Sequence, residues 1–397
     1  MKPKKLQIGL FGFGCVGQGL HDVLGNSTNL IADIERIAVK NRDKKRSLPA
    51  ENFTFDKEDI LQNDKVNLVV ELIDDADEAY KIVKKSLQNG KSVVSANKKM
   101  VAEHLEEFVD LQKENEVSLL YEASCCGSIP IIRTLEEYYD NELLFSISGI
   151  FNGSSNYILT KVLNEGKAYE DVLKQAQELG FAETDPILDV GGFDAKYKLV
   201  ILTAHSFGIF VKPEGIFNFG IQNLSPFDAR FAKEKEWKIK LIAQAYKLSH
   251  DSKEVAIYVV PQFVTEENYL YNVENEYNGV VVEAAFSEKQ FFRGKGAGGH
   301  PTGSAVLSDI SANRYGYGYE YRKAKSKNGT VYTDDVNINV YFRFNELDSF
   351  DKLDFISISE KYEGTEGNYV IGEINLQTLK TSEQFKRDDV FLVELPK

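Results

Sequence analysis

The sequence predicts an α/β protein: a doubly wound, Rossmann-type nucleotide-binding domain, then an α+β domain, then a small α+β tail. Three observations carry this. The run KLQIGLF leads directly into Gly12-x-Gly14-x-x-Gly17 and an amphipathic stretch with Val16, Leu20, Val23 and Leu24 on one side. Strand-like apolar runs and helical patterns then alternate to about residue 125, the mark of a parallel sheet with crossover helices. Past residue 130 come period-two and apolar stretches mixed with helices, which suit an open α+β layer.

The glycine loop is the first element. A strand, a tight turn and a helix N-terminus are what a dinucleotide pyrophosphate needs: Gly12 for the turn, Gly14 for close backbone approach and Gly17 for helix packing, with Cys15 and Val16 between them. IERIAVKN is the second strand, VNLVVELI and KSVVSAN are later ones, and AYKIVKKSLQNG and AEHLEEFVDLQKEN are helices. Where an acid would hold the adenosine ribose at the end of strand two, the chain reads AVKNRDKKRS. Arg42, Lys44, Lys45 and Arg46 suit a 2′-phosphate, which favours NADP; Asp43 in the same cluster leaves NAD open. Ligands in such sheets bind beyond the carboxyl ends of the strands, where Asn97 and Lys98 close KSVVSANKK and Glu122 closes VSLLYEAS.

Composition excludes several classes. Lys plus Arg number 47 against 61 Asp plus Glu in 397 residues, a formal charge of -14, so no general basic surface is offered to nucleic acid. The longest apolar runs fall far short of a membrane span, and MKPKKLQIGLF lacks a cleavable signal pattern. A cytoplasmic protein is expected. Cys15, Cys125 and Cys126 cannot form a disulfide framework and lack zinc-ligand spacing.

The stretch LGFAETDPILDVGGFDAKYKLVIL carries Glu183, Asp185, Asp189, Asp194, Lys196 and Lys198 beside a core-like helix. After Gly191-Gly192, Asp194, Lys198, Ile201 and His205 fall at i, i+4, i+7 and i+11, on one face. Leu199, Val200, Ile201, Leu202 and Ala204 make that helix mostly buried, where an Asp and a Lys are costly unless used or paired. Two readings stand: a structural salt bridge, or a pair put to use in a functional site.

The order of motifs, namely the glycine loop, VVELI, GKSVVSANK, YEASCCGSIPII, GIFNGSSNYILTKV, AETDPILDVGGFDAKYKLVIL and GKGAGGHPTGSAVLSDI, resembles homoserine dehydrogenase over residues 5 to 315. The resemblance implies reversible, NAD(P)H-dependent reduction of L-aspartate 4-semialdehyde to L-homoserine, a step of threonine and methionine biosynthesis, by a homodimer or homotetramer. It further implies Lys198 as the acid/base group, Asp194 as its assistant, and Glu183 and Asp189 as holders of the substrate ammonium. Lys98, with Lys99 beside it, matches the second active-site lysine. Asn152, Gly153 and Ser154 would meet the amino-acid end, and Gly296, Gly298 and Gly299 would return the chain to the cofactor. Some members bind a monovalent cation such as sodium through main-chain oxygens, here those of Glu122, Cys125, Gly127 and Ile129. The chain departs from the family pattern at Asp74-Asp75, where paired glycines are common, at Cys125, where a valine is usual, and at Ser128, where a glycine is usual.

The expected division is residues 1–129 plus 300–318 for the nucleotide, 130–299 for substrate and dimerisation, and 319–397 for the tail. In the middle part NYILTKVL and WKIKLIAQAYKL read as helices, and IYVVPQFV, VVVEAAF and EKQFFRGKG as strands. In the tail a polar linker precedes NINVYFRF, SFDKLDFISISEKY and NYVIGEINLQTL, an order similar to a shortened ACT-type regulatory domain. Its first turn, NELDSFDKLD, is acidic and lacks glycine, so weak or absent threonine inhibition is expected. Two readings from other classes are a phosphorylating aldehyde dehydrogenase working through a thioester on Cys125 or Cys126, and a non-catalytic NADP sensor.

Overall fold

The computed structural model describes residues 5–396 apart from 29, 31, 141, 142, 183, 326–328, 347, 348 and 351. The chain forms two compact units, Met1–Asp140 with Lys295–Arg322, and Asn141–Gly294 with Lys323–Lys397.

The first unit is built on six parallel strands, β1 Leu6–Phe11, β2 Ala32–Ala38, β3 Phe53–Thr54, β4 Leu68–Glu71, β5 Ser92–Ser95 and β6 Leu119–Leu120. Their order is β3-β2-β1-β4-β5-β6, so the direction of winding reverses between β1 and β4. That reversal opens the crevice in which doubly wound sheets hold ligands. Leu68, Val69, Val70, Val93 and Val94 are fully buried, as continuous apolar runs require when helices cover both faces. Asp75 caps the helix Ala76–Gln88 through Glu78 N–H, and Asn97 caps Lys98–Asn115 through Met100 N–H. Thus Asp75, where the family pattern has glycine, serves as a helix cap worth about 1 kcal/mol. The helix Gly299–Arg314 packs on the glycine-loop helix Cys15–Gly25 at glycines: a Cβ on Gly19 would lie 2.1 Å from the Gly299 carbonyl, and one on Gly303 2.6 Å from Leu20 N.

The second unit holds an eleven-stranded sheet made of β7 Leu144–Ile150, β8 Phe217–Asn218, β9 Lys238–Lys247, β10 Glu254–Val264, β11 Tyr277–Ala284, β12 Glu288–Lys295, β13 Val331–Thr333, β14 Asn337–Phe344, β15 Phe355–Gly364, β16 Gly367–Asn375 and β17 Val390–Glu394. The main path runs β12-β11-β7-β9-β10-β17-β14-β16-β15, with β8 and β13 also joined to β10.

Two expectations are corrected here. WKIKLIAQAYKL is not a helix: β9 pairs antiparallel with β10 through ten consecutive residues. Ile239, Leu241, Ala243 and Ala245 alternate with Lys240, Ile242 and Gln244, and all seven are buried; Ile239, Ile242, Ala243 and Tyr246 also fall at i, i+3, i+4 and i+7, the spacing that suggested a helix. Burial lowers the Lys240 ammonium to about 7; it donates to the Val273 carbonyl at 2.6 Å. The tail, too, does not stand apart as a third domain. Its strands continue the sheet of the second unit, β17 meeting β10 in parallel with Gln262 opposite Glu394. DDVFLVELPK, unassigned in the sequence reading, supplies that joining strand, and the expected linker contains β13.

Candidate active site

In the first unit β1 delivers the chain to Gly12, whose φ of +93° and a Cβ position only 2.5 Å from the Leu72 carbonyl admit glycine alone. A Cβ on Gly17 would sit 2.5 Å from the Gly12 carbonyl, which fixes the turn against the helix. Gly14 differs: nothing lies within 4 Å of the place its Cβ would take, and as N-cap it offers no side chain to the first-turn amides. Open space over uncapped N–H groups is what an anionic pyrophosphate fits. Gly298 precedes the helix Gly299–Arg314 at φ +121°, and Gly299 comes to the Cys15 carbonyl, its Cβ position 2.8 Å from that oxygen. The return of the GKGAGG segment to the glycine loop is thus seen within this unit. Cys15 is exposed and Val16 half-buried.

Beyond β2, Arg42 and Lys44 are exposed; the Arg42 guanidinium lies 4.5 Å over Phe55 and that of Arg46 5.2 Å over Phe53. Arg46 also donates to the Lys44 carbonyl at 2.9 Å. The cluster is held on two aromatic platforms. At the ends of β4 and β5, Asn97 donates to the Ile73 carbonyl at 3.1 Å while capping its helix. Lys98 is half-buried, whereas Lys99 is exposed and faces Glu103 at 3.8 Å.

Glu71, fully buried at the end of β4, was not singled out from the sequence, because its partner Ser95 comes from the next strand. Ser95 donates to it at 2.6 Å and Ile73 N–H at 2.7 Å. Burial nevertheless raises its carboxyl from 4.5 to about 7. A carboxyl raised on folding stabilises only while the unfolded chain also holds its proton, so its contribution falls between pH 4.5 and 7. Wild-type stability is expected to drop by about 3 kcal/mol more over that window than that of Glu71→Gln, measured by urea melts. Parallel curves for the two proteins would refute this.

The loop after β6 turns through Cys126 and Gly127, both at positive φ, +55° and +58°. Ser128 hydroxyl accepts from Lys295 N–H at 3.0 Å, which gives that departure from glycine a partner. The Glu122 carbonyl accepts from Cys125 N–H and the Ile129 carbonyl from Ile131 N–H. Among the described residues no group of three or more His, Cys, Asp or Glu side chains has metal-binding geometry. The Glu122 carboxylate accepts from Ile132 and Arg133 N–H at 2.8 and 2.9 Å. Cys125 and Cys126 are fully buried.

In the second unit the helix Phe193–Phe207 opens at Gly192, φ +82°, and brings Asp194 and Lys198 together in its interior, 4% and 8% exposed. Lys198 Nζ lies 2.7 Å from Asp194 Oδ2 and 2.7 Å from the Phe151 carbonyl. Asn152 caps the helix Gly153–Glu165 through Ser155 N–H, and its amide donates to Asp194 Oδ2 at 2.9 Å and Asp189 Oδ1 at 2.7 Å. One asparagine thus gathers the Asp–Lys pair, a second carboxylate and a helix N-terminus. Gly153 is required there, since a Cβ would lie 2.6 Å from the Glu276 carbonyl, and Ser154 hydroxyl bonds the Phe181 carbonyl. Glu183 lies outside the described residues. Lys196 looks elsewhere: its ammonium sits 5.0 Å over Phe193, lowered by burial to about 8 with Glu214 opposing the shift. His205 is buried in the core.

A dinucleotide-type parallel sheet with an open glycine loop, and a second unit carrying a buried, hydrogen-bonded lysine–aspartate pair, define a nicotinamide-dependent dehydrogenase of two-unit α/β build. The family described as homoserine dehydrogenase, NAD binding domain, matches residues 12–122, and that described as homoserine dehydrogenase matches residues 130–311. Homoserine dehydrogenase of Helicobacter pylori is 37% identical over 314 residues, 77% of this chain and 73% of that protein. The Bacillus subtilis enzyme is 36% identical over 318 residues, 78% and 73% of the two. Among solved structures, a homoserine dehydrogenase from Thiobacillus denitrificans superposes with a TM-score of 0.83 at 28% identity over 99% of both chains. A hyperthermophilic archaeal homoserine dehydrogenase in complex with NADPH gives 0.67 at 27% identity, over 80% of this chain and 99% of that one. The chain belongs to the homoserine dehydrogenase family. Neither the thioester nor the sensor reading draws support from these likenesses.

Proposed function

We infer that this chain catalyses the reversible NAD(P)H-dependent reduction of L-aspartate 4-semialdehyde to L-homoserine. The observation that carries the reading is the buried Lys198 ammonium held by Asp194 and the Phe151 carbonyl, in a member of this family. A bound reduced nicotinamide supplies hydride to the aldehyde carbon. Lys198 gives a proton to the aldehyde oxygen as charge develops there and takes it back from the homoserine hydroxyl in reverse. Asp194 holds the ammonium in place, and Asn152 holds Asp194. Asp189 and Glu183 receive the substrate ammonium, Gly153 and Ser154 its amino-acid end, and Lys98 is the second lysine. The loop of Gly12, Gly14, Cys15, Val16 and Gly17 holds the pyrophosphate, with Asn97 and Gly298 beside it. The carbonyls of Glu122, Cys125, Gly127 and Ile129 take a monovalent cation, read by comparing turnover in sodium and choline buffers. The enzyme acts in the cytoplasm as a homodimer or homotetramer.

NADP is the preferred cofactor, on the strength of Arg42 and Lys44 at the end of β2. Arg42→Ala is expected to weaken NADPH binding by about 1.5–3 kcal/mol, the size of a charge-assisted contact, and NADH binding little. Fluorescence titration with both cofactors checks this; equal weakening would show that the cluster does not discriminate.

A further inference from the structure

We propose that Asn278 is a positioning residue for Lys198, acting through the carbonyl of Phe151. This rests on the reading of Lys198 as the acid/base group.

The two strands create the arrangement. β7 and β11 pair antiparallel, with Gly279 opposite Ile150 as the last pair at that end, so the Phe151 carbonyl falls just past the ladder. It accepts instead from two side chains, Lys198 Nζ at 2.7 Å and Asn278 Nδ2 at 3.1 Å. Asn278 is fully buried, and its Oδ1 has no hydrogen-bond partner among the described residues. An apolar side chain of like volume would fill the same space without stranding an acceptor. What the amide contributes is its N–H to Phe151, and that contact fixes its orientation.

The consequence follows from the proton cycle. While Lys198 is an ammonium, the carbonyl shares two donors; when the proton has passed to substrate, the neutral amine is a poorer donor and the Asn278 N–H keeps the oxygen satisfied. Without Asn278 the carbonyl depends on the ammonium alone, and the charged form is favoured. Among the described residues, the charged groups that bear on Lys198 include Asp194 on its own helix and, through Asn152, Asp189 from the short helix Ile187–Val190. Both are unchanged by substitution at residue 278. Glu214 bears on Lys196 instead.

The test is the pH dependence of kcat for homoserine oxidation, which requires lysine in its proton-accepting form, in full-length Asn278→Ala. The half-maximal pH is expected to rise by about half to one unit, the influence of one competing hydrogen bond. At neutral pH kcat should fall about 3–10-fold, approaching wild type in alkali, with KM for homoserine and NADP little changed. Should the alanine variant not fold, Asn278→Leu, closer in volume, is read by the same criterion. A folded variant whose half-maximal pH is unmoved overturns the proposal, since a packing role alone would lower kcat equally at every pH. A wild-type enzyme without homoserine oxidation would instead sink the assigned reaction.

Discussion

Lys198→Ala is expected to lower turnover by roughly 10²–10⁴-fold in both directions, the range lost when a positioned acid/base group is removed. NADPH binding should change little, because the glycine loop and the basic cluster lie in the other compact unit. The pair geometry sharpens the expectation. Nζ is held by Asp194 and a main-chain carbonyl at 2.7 Å each, so its direction is set before substrate arrives and no rotamer search is left for the transition state. A purely structural salt bridge predicts another pattern: alanine would leave the Asp194 carboxylate buried without its counter-charge, stability would fall, and turnover per folded molecule would survive. Rapid kinetics on protein shown folded by circular dichroism separates the two. Near wild-type turnover in a folded Lys198→Ala enzyme would remove the assignment.

The second large effect is on stability, in the tail. Arg343 on β14 forms a buried pair with Asp228 of the helix Pro226–Glu234, Nε lying 3.1 Å from both carboxylate oxygens. It also donates to the carbonyls of Asn223 at 2.6 Å and Asp389 at 3.2 Å, and Tyr341 hydroxyl donates to Asp228 at 2.9 Å. Arg343→Ala strands a carboxylate that is 0% exposed. Its expected cost is about 3–5 kcal/mol, and the apolar double replacement Asp228→Leu with Arg343→Met should recover only the part due to the unpaired charge, since the Tyr341 hydroxyl and the Asn223 and Asp389 carbonyls also lose a partner. Urea melts measure both. A single variant within about 1 kcal/mol of wild type would mean that the tail is not fastened through this pair.

What the sequence revealed and what it hid divide along physical lines. The glycine loop was legible because positive φ at Gly12 and backbone contact at Gly17 admit no other residue. The Asp194–Lys198 pair was legible because i, i+4 spacing on a helix is enough to place two side chains together. Asn152 was named only as one residue of the NGS stretch; its grip on Asp189 and Asp194 depends on partners some forty residues away. Glu71 and Asn278 were missed for the same reason. β9 was misread because Ile239, Ile242, Ala243 and Tyr246 also fall at helical spacing, while the pairing that makes it a strand lies with β10. The tail was misread as separate because its placement rests on long-range pairing. Glu394 on β17 is buried among Gln244, Gln262 and Tyr258, which donate to it at 2.8, 2.8 and 3.0 Å, and nothing local in DDVFLVELPK announces those partners.

The central claim is that the buried lysine serves a nicotinamide-dependent aldehyde reduction. It is tested most directly by following NADPH and NADH oxidation with L-aspartate 4-semialdehyde, alongside NADP reduction with L-homoserine, by absorbance on one preparation of the full-length chain. The account predicts turnover in both directions, faster at low concentration with NADPH than with NADH, and independent of added phosphate. Absence of turnover in either direction by folded protein that binds NADPH, or turnover that requires phosphate, would contradict it.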